Sequence, residues 1–119
     1  MEKVNLQEKF NLFDDTWRPR IVGALNGQQV KLVKLQGEFV WHQHEQEDEL
    51  FLVIAGEMAI QFRDGEVHLQ AGEFLIVPRG VEHRPVAEAL CQVLLLEPAS
   101  TANTGSAPGE MTVENPEWI

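Results

Sequence analysis

The chain of 119 residues has no tyrosine, one cysteine, and only nine lysines and arginines against 19 aspartates and glutamates. Without tyrosine, no phenol is available to take or give a proton in catalysis. The single cysteine, Cys91, excludes an internal disulfide framework and fits a reducing compartment. The formal net charge of -10 repels phosphate backbones and anionic lipid, so neither nucleic acid nor a membrane surface is expected as a partner. Long apolar runs are also missing. Leu52–Ala55, Phe74–Pro78 and Val93–Leu96 fall far short of the ~20 residues that a membrane-spanning helix needs. The opening residues, Met1–Asn5, hold no apolar stretch of the kind found in a secretion signal, and the expected compartment is cytoplasmic.

The remaining composition, 44% hydrophobic and 24% charged, is that of an ordinary single globular domain. Turn signals recur along it: Asn26-Gly27, Gly37, Gly56, Asp64-Gly65, Gly72 and Gly80. Between them lie short segments rich in Val, Ile, Leu and Phe. Strands are expected at Ile21–Leu25, Gln29–Leu35, Phe39–His44, Glu49–Ala55, Met58–Arg63, Glu66–Gln70, Phe74–Val77, Arg84–Ala87 and Gln92–Glu97. Strands this short at such spacings predict an all-β sandwich or barrel. Only the start departs from this. Leu6, Phe10 and Phe13 recur at helical spacing behind an Asn5-x-x-Glu8 capping box, which predicts a short helix over Leu6–Leu12. The tail from Ala99 to Glu114 is rich in Ser, Thr, Asn, Gly, Pro and Glu and reads as a meandering or partly disordered segment.

Three of the four histidines fall in a pattern. His42 and His44 lie two apart, so on a strand both point to one face. Glu49 opens the next strand on the side of Phe51 and Val53, and His83 follows the Pro78-Arg79-Gly80 turn. Three imidazoles and a carboxylate suit Fe(II), Mn(II), Ni(II), Cu(II) or Zn(II). On an octahedral ion they leave two positions for water or substrate. Taken alone, the acidic run Glu45–Glu49 could equally be a solvated loop with two surface histidines beside it; the placement of His83 favours the metal reading. His68, between Val67 and Leu69, is expected to face solvent. Trp41 and Phe39 are assigned to the face opposite His42, as core or interface residues. Arg84, next to His83, is a candidate for binding a substrate carboxylate, against the plainer reading of an exposed charge beside a turn. Cys91 reads as a packing residue.

Gly37-x4-His42-x-His44-x4-Glu49-x6-Gly56 resembles the first cupin motif, and Gly72-x5-Pro78-x-Gly80-x2-His83 resembles the second, with the 15 residues Glu57–Ala71 between them. The chain is most similar to the small single-domain "cupin 2" proteins often labelled phosphomannose-isomerase-like. It departs from their pattern in having four rather than five residues before the first histidine, and Ala87 where the second motif usually ends in Asn; neither position supplies a ligand. The resemblance implies a double-stranded β-helix, the RmlC-like jelly roll, spanning residues 30–98 between an N-terminal helix and strand arm (1–29) and a C-terminal tail (99–119). It also implies that His42, His44, Glu49 and His83 bind a divalent metal inside the barrel. Glu49 could double as a catalytic base on leaving the metal, as its counterpart is thought to do in flavonol dioxygenase cupins.

The resemblance implies a metal-dependent enzyme of dioxygenase or isomerase type acting on a small oxygen-rich metabolite. The alternative is a non-enzymatic cupin that binds or senses a metabolite. The missing tyrosine removes the cupin epimerases that use a His–Tyr pair and the thiol dioxygenases with a Cys–Tyr crosslink. Lys31 and Lys34 lie in neither motif, so a metal-centred mechanism is favoured over a separate acid–base pair. Finally, Glu49–Ala55, Phe74–Val77 and Val93–Leu96 are apolar on both faces. One short helix cannot cover them all, and a homodimer is expected, with Leu50, Leu52 or Trp41 near its seam.

Overall fold

Alternating apolar side chains broken by turn residues give eight strands and one short helix in the computed structural model, which describes all residues from Met1 to Ile119. In chain order these are α1 (Leu6–Phe10), β1 (Arg20–Leu25), β2 (Gln28–Glu38), β3 (Glu49–Ala55), β4 (Glu57–Phe62), β5 (Gly65–Gln70), β6 (Phe74–Val77), β7 (Arg84–Pro98) and β8 (Glu117–Trp118). Asn26 and Gly27 both take positive φ, 51° and 79°, and turn β1 tightly into β2. The strands form one sheet in the order β5-β4-β7-β2-β1-β8, with β3 and β6 attached along β7. The sheet curls on itself without closing and makes an open jelly roll, the expected fold class.

One long strand organises this sheet. β7 runs for 15 residues where two separate strands, Arg84–Ala87 and Gln92–Glu97, are expected, because Glu88–Leu90 bow outward without breaking it. One edge of β7 pairs with β2 along its length; the other pairs with β4 at Arg84–Val86 and with β3 at Gln92–Leu96. The residues facing inward from these strands, among them Val33, Phe51, Val53, Ile60, Val93 and Leu95, fill the barrel. Cys91 sits among them fully buried, as the packing reading requires, and burial pushes its thiol up to about 11. Gly56 is required at its position: φ is 88°, and a Cβ there would meet the Leu90 carbonyl oxygen at 2.9 Å.

The helix stops at Phe10, two residues short of the expected end. Asn5 accepts the Glu8 amide at 3.0 Å, which completes half of the capping box. Phe10 and Phe13, with ring centroids 6.0 Å apart, pack with Val22 and Leu32 into a second core on the outer face of the sheet. Ile54, Leu94 and Ile119 border this core. Lys34 is buried beside it, donating to the Phe13 carbonyl.

Three expectations need correction. Residues 39–44 form no strand. The β2 ladder ends at Glu38, opposite Val86, and the segment beyond it has no ladder, only the isolated bridge between His42 and His83 and scattered hydrogen bonds at Phe39, Gln43 and His44. Val67 is exposed where Leu69 is buried, because β5 is the edge strand of the sheet, paired only with β4. The tail has only the two-residue strand β8, yet it is tied down at several points. Gln43 and Ser106 exchange two hydrogen bonds, and the Asn103 amide binds Met111 and Val113. β8 pairs in parallel with β1, and the Ile119 amide reaches the Ile21 carbonyl at 3.0 Å. No helix is long and apolar enough to cross a membrane.

Candidate metal centre

The chain brings its two motifs together through the backbone. His42 and His83 exchange amide and carbonyl hydrogen bonds of 3.0 and 2.8 Å, which sets their rings 4.4 Å apart. The Gly80 amide donates to the His44 carbonyl at 2.8 Å, and the Arg79 amide donates to Asp48 at 2.8 Å. The Pro78–Gly80 turn is thereby clamped to the loop that carries His44. Glu49 enters from the first position of β3, on the same inner face as Phe51 and Val53, as the alternation predicts. On the other side the tail closes over His44. A Cβ at Gly105 would lie 2.2 Å from the Gln43 carbonyl oxygen and 3.0 Å from His44 Nδ1, so only glycine fits there.

His42, His44, Glu49 and His83 are all buried, and each offers a donor atom within 4.8 Å of the others'. The carbonyls of Val40 and Val81 lie 2.9 and 3.0 Å from Nδ1 of His42 and His83. Those carbonyls can only accept, so each Nδ1 carries the proton and each Nε2 keeps its lone pair free. Glu49 Oε1 lies 3.3 Å from His44 Nε2 and 3.5 Å from His83 Nε2. These three atoms are buried without a hydrogen-bond partner. Unsatisfied buried polar atoms cost free energy, and a divalent cation at their common centre would satisfy all of them. The donor set therefore fits a metal.

Electrostatics agree with the geometry. Burial raises the Glu49 carboxyl, but contacts with the Glu97 carboxyl and with the His44 and His83 rings outweigh it and hold the group well below its usual range. Burial, followed by the neighbouring His83, pushes His42 down to about 4 from 6.5. A histidine with a depressed folded value stabilises the fold fully above the unfolded value and loses that contribution as pH falls from 6.5 toward 4. For His42 this amounts to roughly 3 kcal/mol. Urea unfolding of the metal-free chain at pH 7.5 and pH 4 checks this. His42→Gln is expected to lose less stability across that interval than the native chain, and equal losses would contradict the shift.

A narrow cavity of about 30 Å³ opens beside His42 and Glu49. That is room for one or two waters. Its other walls are Trp17, Pro19, Val33, Leu35, Phe39, Phe51, Pro85, Leu95 and Asn103, so the lining is almost wholly apolar. Phe39 lies against the His42 ring at 5.4 Å, not on the opposite face, because residues 39–44 do not alternate as a strand. Trp17 stacks on Phe39 at 4.8 Å with φ at 64°, a conformation that bulky residues rarely adopt. Its indole nitrogen is anchored to the Gln36 carbonyl at 2.9 Å.

The other sequence candidates lie outside this cavity. The Arg84 guanidinium binds Gln61 at 2.7 and 3.0 Å and Glu38 at 3.2 Å. Trp41 is covered by the guanidinium of Arg63, 3.9 Å from the ring centre. His68 faces solvent and pairs with Glu66 at 2.8 Å, as expected. Sequence reasoning gave no part to Trp17, Gly105 or Glu97. Glu97 carried a readable signal, since it lies in phase with the inward-facing Val93 and Leu95.

Known proteins with related sequences and structures agree with the fold. Residues 30–96 match the Cupin domain family, Cupin_2. A crystal structure of a cupin-2 domain containing protein from Shewanella frigidimarina is 47% identical, with a TM-score of 0.79 over 80% of this chain and 93% of that one. Protein NMB1881 from Neisseria meningitidis is 35% identical, with a TM-score of 0.76 over 82% of this chain and all of that one. The Bacillus subtilis protein YdbB is 41% identical over 64 residues; the match spans 53% of this chain and 57% of that relative's length.

Proposed function

Since this chain belongs to the cupin domain family, we propose that His42, His44, Glu49 and His83 hold a divalent transition metal and that the protein is an enzyme of oxygenase type acting on a small molecule. The observation that carries this reading is the set of buried, unpartnered donor atoms of His44, Glu49 and His83 facing one another at the edge of an apolar cavity. A bound metal would supply Lewis acidity, two further coordination positions and, if redox-active, reactivity toward oxygen.

The chain's own residues favour oxygenation over isomerisation. An isomerase acting on a sugar needs polar side chains to hold hydroxyl groups and a base distinct from the metal ligands. The cavity offers neither. Its polar lining is His42, Glu49 and Asn103, and the Asn103 amide is taken by Met111 and Val113. Lys31 is committed to Glu97, and Lys34 to Phe13. The apolar walls instead exclude water from the donor set, and at about 30 Å³ the cavity takes a molecule of only a few atoms unless its walls move apart. Glu49, the one carboxylate among the four donors, would serve as base on leaving the metal. Arg84 has no share in this reading, since Gln61 and Glu38 already hold its guanidinium.

The test is oxygen uptake by the chain loaded in turn with Fe(II), Mn(II), Ni(II), Cu(II) or Zn(II) and offered pools of small hydroxylated metabolites. Consumption that requires both metal and metabolite is expected. Metabolite binding without turnover under every metal would overturn the enzyme reading in favour of a binding or sensing module.

We further propose a homodimer through the outer face of β3 and β6. Phe74 and Ile76 stand 59% and 51% exposed on β6, next to half-buried Leu50 and Leu52. Trp41 has no place at this seam, because Arg63 already stacks on it.

A further inference from the structure

Besides the four donor side chains, the barrel buries a second ionic group. Lys31 Nζ and Glu97 Oε1 are 2.8 Å apart at 2% and 1% exposure. Taking charge out of water costs several kcal/mol per ion, and an apolar pair of equal size often serves stability as well. Stability alone therefore does not explain the pair, and its position offers a reason. β3 and β7 pair with Leu50 opposite Leu96 and Phe51 opposite Leu95. One step further along this ladder sets Glu97 beside Glu49. On the other flank Lys31 pairs with Leu95, so it reaches Glu97 diagonally on the same inner face. Glu97 spends Oε1 on Lys31, its buried Oε2 has no other partner, and its carboxyl meets that of Glu49; burial, then the Glu49 charge, holds the Glu97 carboxyl well above its usual range, so the proton between the two sits on Glu97 and Glu49 accepts it. The series Lys31, Glu97, Glu49 thus ends at Glu49 Oε1, the atom that faces His44 and His83.

We propose that Glu97, anchored by Lys31, is a positioning residue that holds the Glu49 carboxyl with one oxygen aimed at the three histidines. This rests on the reading of those four side chains as metal ligands. Ligating groups need outer partners to fix their orientation, and loss of such a partner typically weakens metal binding by about 10–100-fold. His42 and His83 have theirs in the Val40 and Val81 carbonyls. The corresponding partner of Glu49 is the Glu97 carboxyl.

Cobalt(II) is the probe, with three readouts: its dissociation constant, its visible spectrum in the site, and the melting temperature of the metal-free chain. In the double variant Lys31→Met/Glu97→Leu the buried pair becomes apolar. Its metal-free melting temperature is expected to hold or rise, while cobalt binds about 10–100-fold more weakly with a shifted spectrum. A purely structural pair would give the reverse. Glu97→Gln can still accept from Lys31 and donate to Glu49, so its affinity should stay within about threefold of native. Glu97→Asp keeps the carboxyl group but is one methylene short of Glu49, and about tenfold weaker binding is expected. Native affinity and spectrum in the double variant overturn the proposal. If that variant does not fold, cobalt binding by Glu97→Asp that is no weaker than by Glu97→Gln overturns it. A native chain that binds no cobalt overturns the ligand reading itself and this proposal with it.

Discussion

His83→Ala and His42→Ala are each expected to abolish most of the metal bound per subunit, with affinity falling by more than the ~10–100-fold typical of losing an outer partner. Each removes one of four donors from a closed cluster, and none of the remaining side chains is free to replace it. The nearest further carboxylate, Glu97, is engaged by Lys31. His68→Ala is the control. Its imidazole is exposed, pairs with Glu66 at 2.8 Å and lies on β5, away from the cluster. Elemental analysis after purification, with circular dichroism to confirm folding, measures all three. Equal loss from His42, His83 and His68 variants would mean that the metal is held elsewhere or adventitiously. His83→Ala removes an unsatisfied buried Nε2, and each alanine at His42 or His83 also leaves the Val40 or Val81 carbonyl without its imidazole partner, so the circular dichroism decides whether metal loss is read from a folded chain.

Light scattering at micromolar concentration is expected to give twice the 13.5 kDa of one chain. Helix α1 and Ile119 cover Ile54 and Leu94, but they leave Phe74 and Ile76 open on β6, a strand paired on one side only. An apolar, unpaired edge is a site for association. A two-fold contact buries both residues from each copy, and burying one such side chain fully contributes about 1.5–3 kcal/mol. Ile76→Asp sets two carboxylates near each other across that axis and should return the mass to 13.5 kDa without disturbing the metal centre, since Ile76 faces away from it. A native mass of 13.5 kDa would reject the dimer and leave the helix and tail as sufficient cover.

The parts of the molecule that were legible are those written in short-range periodicity. Phe74–Val77 and Glu49–Ala55 appear as expected, because alternation on a two-sided strand leaves little freedom of register. The two histidine motifs were legible for the same reason: turn residues at fixed offsets bring their side chains to one place. Residues 39–44 misled because their pattern imitates a strand, while the pairing that would make one stops at Glu38. β7 was divided in two because Glu88–Leu90 interrupt the inward alternation, and nothing in the sequence reveals that they bow outward within one strand. The inward phase of Glu97 could be read, but its role, like those of Trp17 and Gly105, was hidden for a deeper reason. Each depends on a contact with a residue far along the chain: Gln36, Gln43 or Lys31.

The arrangement around β7 also constrains how the molecule comes into being. Before β7 joins, the preceding strands can make only three separate two-stranded ladders, β1–β2, β3–β6 and β4–β5. Isolated hairpins of this kind are marginal in water. β7 joins all three at once, with partners as distant in sequence as Gln28 and Pro98. During synthesis, the half-built protein must therefore wait, with its apolar strands unprotected, until the ribosome has delivered almost the whole barrel. Folding is late, concerted and slowed by the entropy of closing long loops, and this interval is when the chain is most exposed to aggregation and to chaperones.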